Sequence, residues 1–436
     1  MLDLVLIREH RAAVEAALRK RIDDVDLSGL LDRDTRRREL IGAADGLKAR
    51  RNHVSAEIPR LRQAGEPVDD LLAEMKDVSA RIKSLDFEIR ELDAAIHDEL
   101  AGLPNLPADD VPVGGKEANV VLHTWGTIPE FPFTPRDHVD LVTSLGLVDY
   151  ERGVKMGGNG FWLYKGLGAR LEWALLNYFV DSHVADGYEF VLPPHLLTYE
   201  CGFTAGQFPK FEDDVFQIRS DRDGFSHFIL PTAETALINF HRDEVLDEAE
   251  LPCKYFSYTP CYRKEAGSYR AQERGMIRGH QFNKVEMFQF TTPEDSDRAL
   301  EELLAKAERL VQDLGLHHRT SLLAARDASA SMAKTYDIEV WIPSMDRYME
   351  VSSISSAGDY QARRGSIRFR RSGRKQTELV HSLNASGLAT SRILPALVEQ
   401  GQQSDGSVVL PAVLAQRLGT DRIVADPELF STGLET

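Results

Sequence analysis

The sequence predicts an α+β fold: an antiparallel β-sheet domain flanked by helices, preceded by an N-terminal antiparallel α-helical coiled-coil arm. Three observations carry this expectation. Two heptad-spaced apolar series occupy the first hundred residues, a Pro- and Gly-rich stretch follows, and short β-rich runs lie among helical stretches from about residue 118 onward. At 436 residues, 42% hydrophobic and 28% charged, the chain has a globular balance and room for two or three domains. No apolar run approaches the ~18 residues of a membrane span. Residues 1–10 mix charges with aliphatics, unlike a signal-peptide core. Cys201, Cys253 and Cys261 suit neither a disulfide framework nor a four-cysteine zinc site, so no structural zinc and a cytoplasmic setting are expected.

The first heptad pattern is Leu40, Ala44, Leu47, Arg51, Val54, Ile58 and Leu61, apolar but for Arg51; the second is Leu71, Met75, Val78, Ile82, Leu85, Ile89, Leu92 and Ile96. Alternating spacings of this kind place each series on one helical seam. The turn-forming Arg62-Gln63-Ala64-Gly65-Glu66-Pro67 joins them, so residues 31–100 read as a hairpin whose arms are roughly 45 Å long at 1.5 Å per residue. Pro59 is expected to kink or end the first helix near the tip. Residues 31–62 carry nine Arg/Lys against five Asp/Glu, and residues 68–100 carry four against ten. A basic helix can follow a phosphate backbone despite a formal net charge of −17, because a binding face is local. A structural or dimerising coiled coil fits the same pattern.

The stretch from Leu103-Pro104 to Gly114-Gly115 reads as a linker, which divides the chain into residues 1–103, a linker at 104–117, and a second domain at 118–436. Within the second domain, Phe228-Ile229-Leu230, Tyr255-Phe256-Ser257-Tyr258 and residues 285–290 and 338–342 are predicted strands. Irregularly placed helices between them favour an antiparallel sheet.

Common nucleotide and hydrolase motifs are absent: no Gly-x-x-x-x-Gly-Lys-Ser/Thr, His-Glu-x-x-His, Gly-x-Ser-x-Gly or Cys-x-x-Cys occurs. His317-His318 lacks metal-ligand spacing and reads as a solvated helix end or turn. One dense polar stretch remains, Cys261-Tyr262-Arg263-Lys264-Glu265-Ala266-Gly267-Ser268 and then Arg274-Gly275-Met276-Ile277-Arg278-Gly279-His280-Gln281-Phe282-Asn283-Lys284-Val285-Glu286. It reads as a hairpin displaying guanidinium forks suited to phosphate oxygens and one aromatic ring suited to stacking on a base. Strand alternation puts Phe282, Lys284 and Glu286 on one face. A surface hairpin with ion pairs is the alternative.

This stretch resembles motif 2 of class II aminoacyl-tRNA synthetases, in the form seen in the seryl-tRNA synthetase family. Residues 187–194, after a predicted helix at 170–185, resemble motif 1, and residues 384–392 resemble motif 3. Thr232-Ala233-Glu234, Glu339-Val340-Trp341-Ile342-Pro343 and Asp359-Tyr360-Gln361-Ala362-Arg363-Arg364 match further blocks of that family.

The resemblance implies a serine–tRNA ligase that activates L-serine with ATP and Mg²⁺, then transfers it to tRNA(Ser), with tRNA(Sec) as a further acceptor. It implies Arg263, Arg392 and Glu350 as catalytic residues. The implied ATP-binding set is Arg263, Lys264, Glu265, Arg278, Gly279, Phe282, Glu350, Val351, Ser352, Ser353 and Arg392. The implied serine site is Thr232, Ala233, Glu234, Arg263, Glu286, Asn384 and Ser386. Mg²⁺ would be held by Glu350 and Ser353 through ATP, and tRNA by Arg36, Arg37, Lys48, Arg50 and Arg51 of the arm. A homodimer through motif 1 is implied. Without the resemblance, Ser386 reads as a cap for a helix over 387–400, and the basic run from Arg363 to Lys375 as an exposed strand face. Two alternative functions stay open: a paralogue with a specialised role in resistance or natural-product assembly, and an amino acid:carrier-protein ligase, a class whose members typically lack the arm.

Overall fold

The computed structural model describes residues 1–220, 224–265 and 275–425 and divides into two compact units, Met1–Pro104 and Asn105–Thr436. Ala266, Gly267, Ser268 and Arg274 of the polar stretch lie outside the described residues.

In the first unit, two short helices (Leu4–Glu9 and Arg11–Leu18) precede the hairpin, whose helices are Ser28–Gln63 and Asp69–Gly102. The heptad seam is its core. Val54 packs with Met75, Val78 and Ile82, and Leu40 and Ala44 pack with Leu85. Pro59 does not end the first helix, which continues to Gln63. So near the terminus the ring removes one hydrogen bond, while the Ala64 N–H still reaches the carbonyls of Arg60 and Leu61 at 3.0 and 3.1 Å. At the hairpin's base the fully buried Asp34 carboxylate gathers Arg8, Arg37 and Arg38 at 2.9, 3.2 and 3.4 Å.

The second unit is built on an eight-stranded sheet. In chain order its strands are β1 (Val120–Trp125), β2 (Glu189–Phe190), β3 (Cys253–Tyr262), β4 (Gln281–Thr291), β5 (His318–Leu322), β6 (Lys334–Ile342), β7 (Arg347–Gly358) and β8 (His381–Ala389). They lie side by side in the order β1-β5-β6-β7-β8-β4-β3-β2. Every pairing is antiparallel except that of β2 with β3. Helices Leu167–Ala185, Ser296–Asp313 and Thr390–Gly401 bury their apolar sides in the core shared with the sheet.

The linker expected at 104–117 is not free from Asn105 onward. Asn105 donates its side-chain amide to the carbonyls of Ser331 and Ala357 at 2.9 and 2.8 Å, and Ala108 N–H bonds to Ala333. His317 and His318 are buried rather than solvated. His318 opens β5 with its ring stacked on Trp125, and His317 bonds to the Trp125 carbonyl and the Tyr348 hydroxyl. Ser386 lies inside β8, and the helix after it starts at Thr390, so Ser386 is no cap. The basic run is divided: Arg364 is buried, and Arg371 is held by Glu248, Glu294 and Glu378.

Gly387 meets a close approach. A Cβ there would fall 2.2 Å from His183 Nε2, which instead bonds to the Gly387 carbonyl at 2.8 Å. Burial lowers the His183 pKa to about 4, so the neutral ring donates its Nε2–H and ties the motif 1 helix to β8 at neutral pH.

Candidate active site

The hairpin β3–β4 carries most of the site. Pairing of Gln281 with Tyr262 and of Lys284 with Thr259 sets its register. The alternation expected for Phe282, Lys284 and Glu286 holds, and each faces a cleft. Arg263 follows the end of β3, with its guanidinium 5.3 Å from the centre of the Phe282 ring and its Nε donating to the Pro231 carbonyl at 3.3 Å. Arg278 and Glu265 are ion-paired across the hairpin. Gly279, just before β4, permits the Trp162 ring to press on the backbone there, since a Cβ would meet that ring at 2.2 Å.

Arg392 projects from the helix after β8 and reaches back to β7, donating to the Glu350 carbonyl at 2.7 Å and lying 3.4 Å from its carboxylate. Regular alternation along β7 would send Glu350 to the face opposite Ser353. A bulge prevents this: Ile338 faces Ser352 while Glu339 faces Glu350, so Val351 is extra and Glu350 joins Ser353 at the cleft.

Two clefts meet here. One is lined by Arg263, Glu265, Arg278, Gly279, Phe282, Glu350, Val351 and Arg392 among others. The other, of about 530 Å³, is lined among others by Thr232, Glu234, Glu286, Ser353, Asn384 and Ser386. Arg263, Glu265, Arg278, Lys284, Glu350 and Ser386 line both. Lys284, which the resemblance left without a role, is ion-paired with Glu286 and donates to the Thr232 hydroxyl at 2.7 Å; that hydroxyl donates to Glu286 at 2.9 Å. Glu234 is buried, and desolvation, then the nearby Glu286 charge, push its pKa up to about 7.

Three expected site residues line neither cleft. Ala233 is fully buried in an apolar cluster. The Ser352 hydroxyl is turned away, donating to the Ser386 carbonyl at 2.6 Å, and Lys264 donates to the Asp213 carbonyl at 3.2 Å. Ser352 neighbours Ser353 on β7, where successive side chains face opposite ways, whereas Ala233 has helical backbone (φ −66°, ψ −24°) at the start of a short helix.

On the arm, most of the expected cations cross to the acidic helix. Arg37 meets Asp93 at 2.8 Å, Lys48 meets Asp86 at 2.9 Å, Arg36 lies 3.8 Å from Glu88, and Arg50 pairs with Glu74. The half-buried Arg51 has no ion pair among the described residues.

The family model for the seryl-tRNA synthetase N-terminal domain matches residues 1–107, and that for the tRNA synthetase class II core domain (G, H, P, S and T) matches residues 215–401. The chain is 59% identical to serine–tRNA ligase 2 of Clostridium acetobutylicum over 97% of this chain and 100% of that one. It is 46% identical to the serine–tRNA ligase of Nitratidesulfovibrio vulgaris over 98% of this chain and all of that protein. The crystal structure of Pyrococcus horikoshii seryl-tRNA synthetase complexed with ATP superposes with a TM-score of 0.92 at 34% identity, covering 98% of this chain and 100% of that one. With both halves matched and the motif 2 and motif 3 arginines facing one cleft, the chain belongs to the seryl-tRNA synthetase family of class II aminoacyl-tRNA synthetases.

Proposed function

We infer that the chain is an ATP-dependent serine–tRNA ligase working in the cytoplasm. The observation that carries the reading is the set of residues common to the two clefts, because a reaction between two substrates needs a place where their sites meet. In the first half-reaction a serine carboxylate oxygen bonds to the α-phosphorus of ATP, and the α–β bridging bond breaks with its electron pair leaving on pyrophosphate. Arg263 stands at the junction and is assigned to the carboxylate and the α-phosphate. Arg278 and Arg392 take the phosphate tail, Phe282 stacks on adenine, and Glu265 lies beside the base. Fixed guanidinium groups need no reorganisation as charge builds on the phosphoryl oxygens.

In the serine site, Lys284 already neutralises Glu286, which leaves Glu234 as the carboxylate for the substrate ammonium. Thr232, Asn384 and Ser386 supply polar walls for the hydroxyl; buried polar groups left unpaired would disfavour alanine. In the second half-reaction a ribose hydroxyl at the 3′ end of tRNA(Ser), or of tRNA(Sec), attacks the acyl carbon and AMP departs.

Glu350 and Ser353 offer hard oxygen donors that fit Mg²⁺, and behind them the buried Oδ1 of Asp337 has no hydrogen-bond partner among the described residues. When bound with ATP, the ion would neutralise phosphate charge. Arg36, Arg37, Lys48, Arg50 and Arg51 are assigned to the tRNA backbone, and the exposed Leu192 of motif 1 and Val184 of the helix before it to a homodimer contact.

The test is ATP–pyrophosphate exchange against all amino acids. Exchange strongest with serine, followed by charging of tRNA(Ser), is expected. Exchange with another amino acid alone would overturn the substrate, and transfer only to a carrier protein would overturn the acceptor.

A further inference from the structure

Behind the serine site lies a buried amide that lines neither cleft. Gln361, 1% exposed, sits on the short helix Tyr360–Arg364. Its Nε2 donates to Glu234 Oε1 at 2.7 Å and to the Ala205 carbonyl at 3.0 Å. Its Oε1 accepts from the Ser382 hydroxyl at 2.7 Å. The amide therefore has one workable orientation: reversed, its oxygen would face a carboxylate and a carbonyl. Both Nε2 hydrogens are committed, one of them to the carboxylate assigned to the substrate ammonium.

We propose that Gln361 is a positioning residue for amino-acid recognition, whose amide, locked by Ser382 and Ala205, aims Glu234 and favours its carboxylate form. The proposal rests on the reading of Glu234 as the ammonium partner. The charged groups acting on Glu234 are Glu286, which opposes its ionisation, and Lys284 and Arg263, which favour it; the neutral Asn384 amide lies 3.3 Å away. Burial is the largest force against the anion, and the Gln361 hydrogen bond is the largest one for it. Removing that donor shifts the balance toward the protonated acid, which cannot pair with an ammonium.

The test compares wild type with Gln361→Met, similar in length and without a donor, by pyrophosphate exchange between pH 6 and 9. The KM for serine is expected to rise about fivefold near pH 7 and to recover at pH 9, as the acid limb of kcat/KM moves up by about one unit. The KM for ATP and kcat at saturating serine should stay within about twofold. An unmoved acid limb, or an equal loss at every pH, would overturn the proposal. Should Gln361→Met fail to fold, Ser382→Ala frees the amide while keeping it in place; a smaller shift of the same sign is expected, and no shift would overturn the proposal. Glu234→Gln separates the two levels: an unchanged serine KM there would remove the underlying assignment itself.

Discussion

Arg263 and Arg392 were legible as partners only through motif resemblance, because more than a hundred residues separate them and no periodicity links them. Their meeting depends on β8 lying beside β4, which delivers the following helix to the same cleft. Motif reading fails at single-residue resolution where it takes neighbours together: Ser352 and Lys264 are expected beside Ser353 and Arg263, but Ser352 faces the other side of β7 and Lys264 turns to the Asp213 carbonyl. Gln361 falls in a matched family block, but nothing in the sequence gives it a role, since its partners Glu234 and Ser382 come from distant segments. Arg263 is exposed, so Arg263→Ala should abolish pyrophosphate exchange, by at least about a hundredfold, while the thermal midpoint stays within a few degrees. Near-normal exchange would remove its role. Glu234 yields a pH prediction. Its folded pKa of about 7 exceeds the ordinary 4.5, so the folded state binds the extra proton between these values, and this group's contribution to stability falls as pH rises through that window. Serine capture runs the other way: kcat/KM for serine should decline as pH drops below 7, and a flat profile from pH 6 to 8 would contradict the assignment.

The arm was the most legible element, because a strict heptad pattern leaves one antiparallel solution for two helices joined by a short turn. Its cross-helix ion pairs were not legible: charge counts give the sign of a helix, not where side chains point. Those pairs set the energetic terms of any tRNA contact. Exposed pairs of this kind contribute about 0.2–1 kcal/mol each, so a phosphate can replace a carboxylate at little cost. Lys48→Ala should therefore change the melting temperature slightly, raise the KM for tRNA and reduce the salt slope of binding by about one. Leu85, buried between the helices, behaves oppositely: Leu85→Ala should cost about 2–5 kcal/mol. Deleting residues 31–100 should spare serine-dependent exchange and cripple tRNA charging. Equal loss of both half-reactions would show that the arm supports activation too.

For the whole molecule, the α+β class and the boundary near residue 104 follow from the end of the heptads, whereas the attachment of Asn105 to the second unit rests on hydrogen bonds that no pattern encodes. The exposed Leu192 (69%) and Val184 (54%) predict association through motif 1, and sedimentation should report a dimer that Leu192→Asp shifts toward monomer. A wild-type monomer at micromolar concentration would exclude that interface. The junction of the two clefts also bears on inhibition. On the proposed assignment of the clefts, a compound carrying a purine at one end and an amino group at the other would occupy both together and compete with each substrate. Escape by substitution is constrained, because six side chains serve both pockets and a change that repels the compound at any of them also taxes the natural reactants. Resistance should therefore arise by altered expression or import more readily than by mutation of this wall.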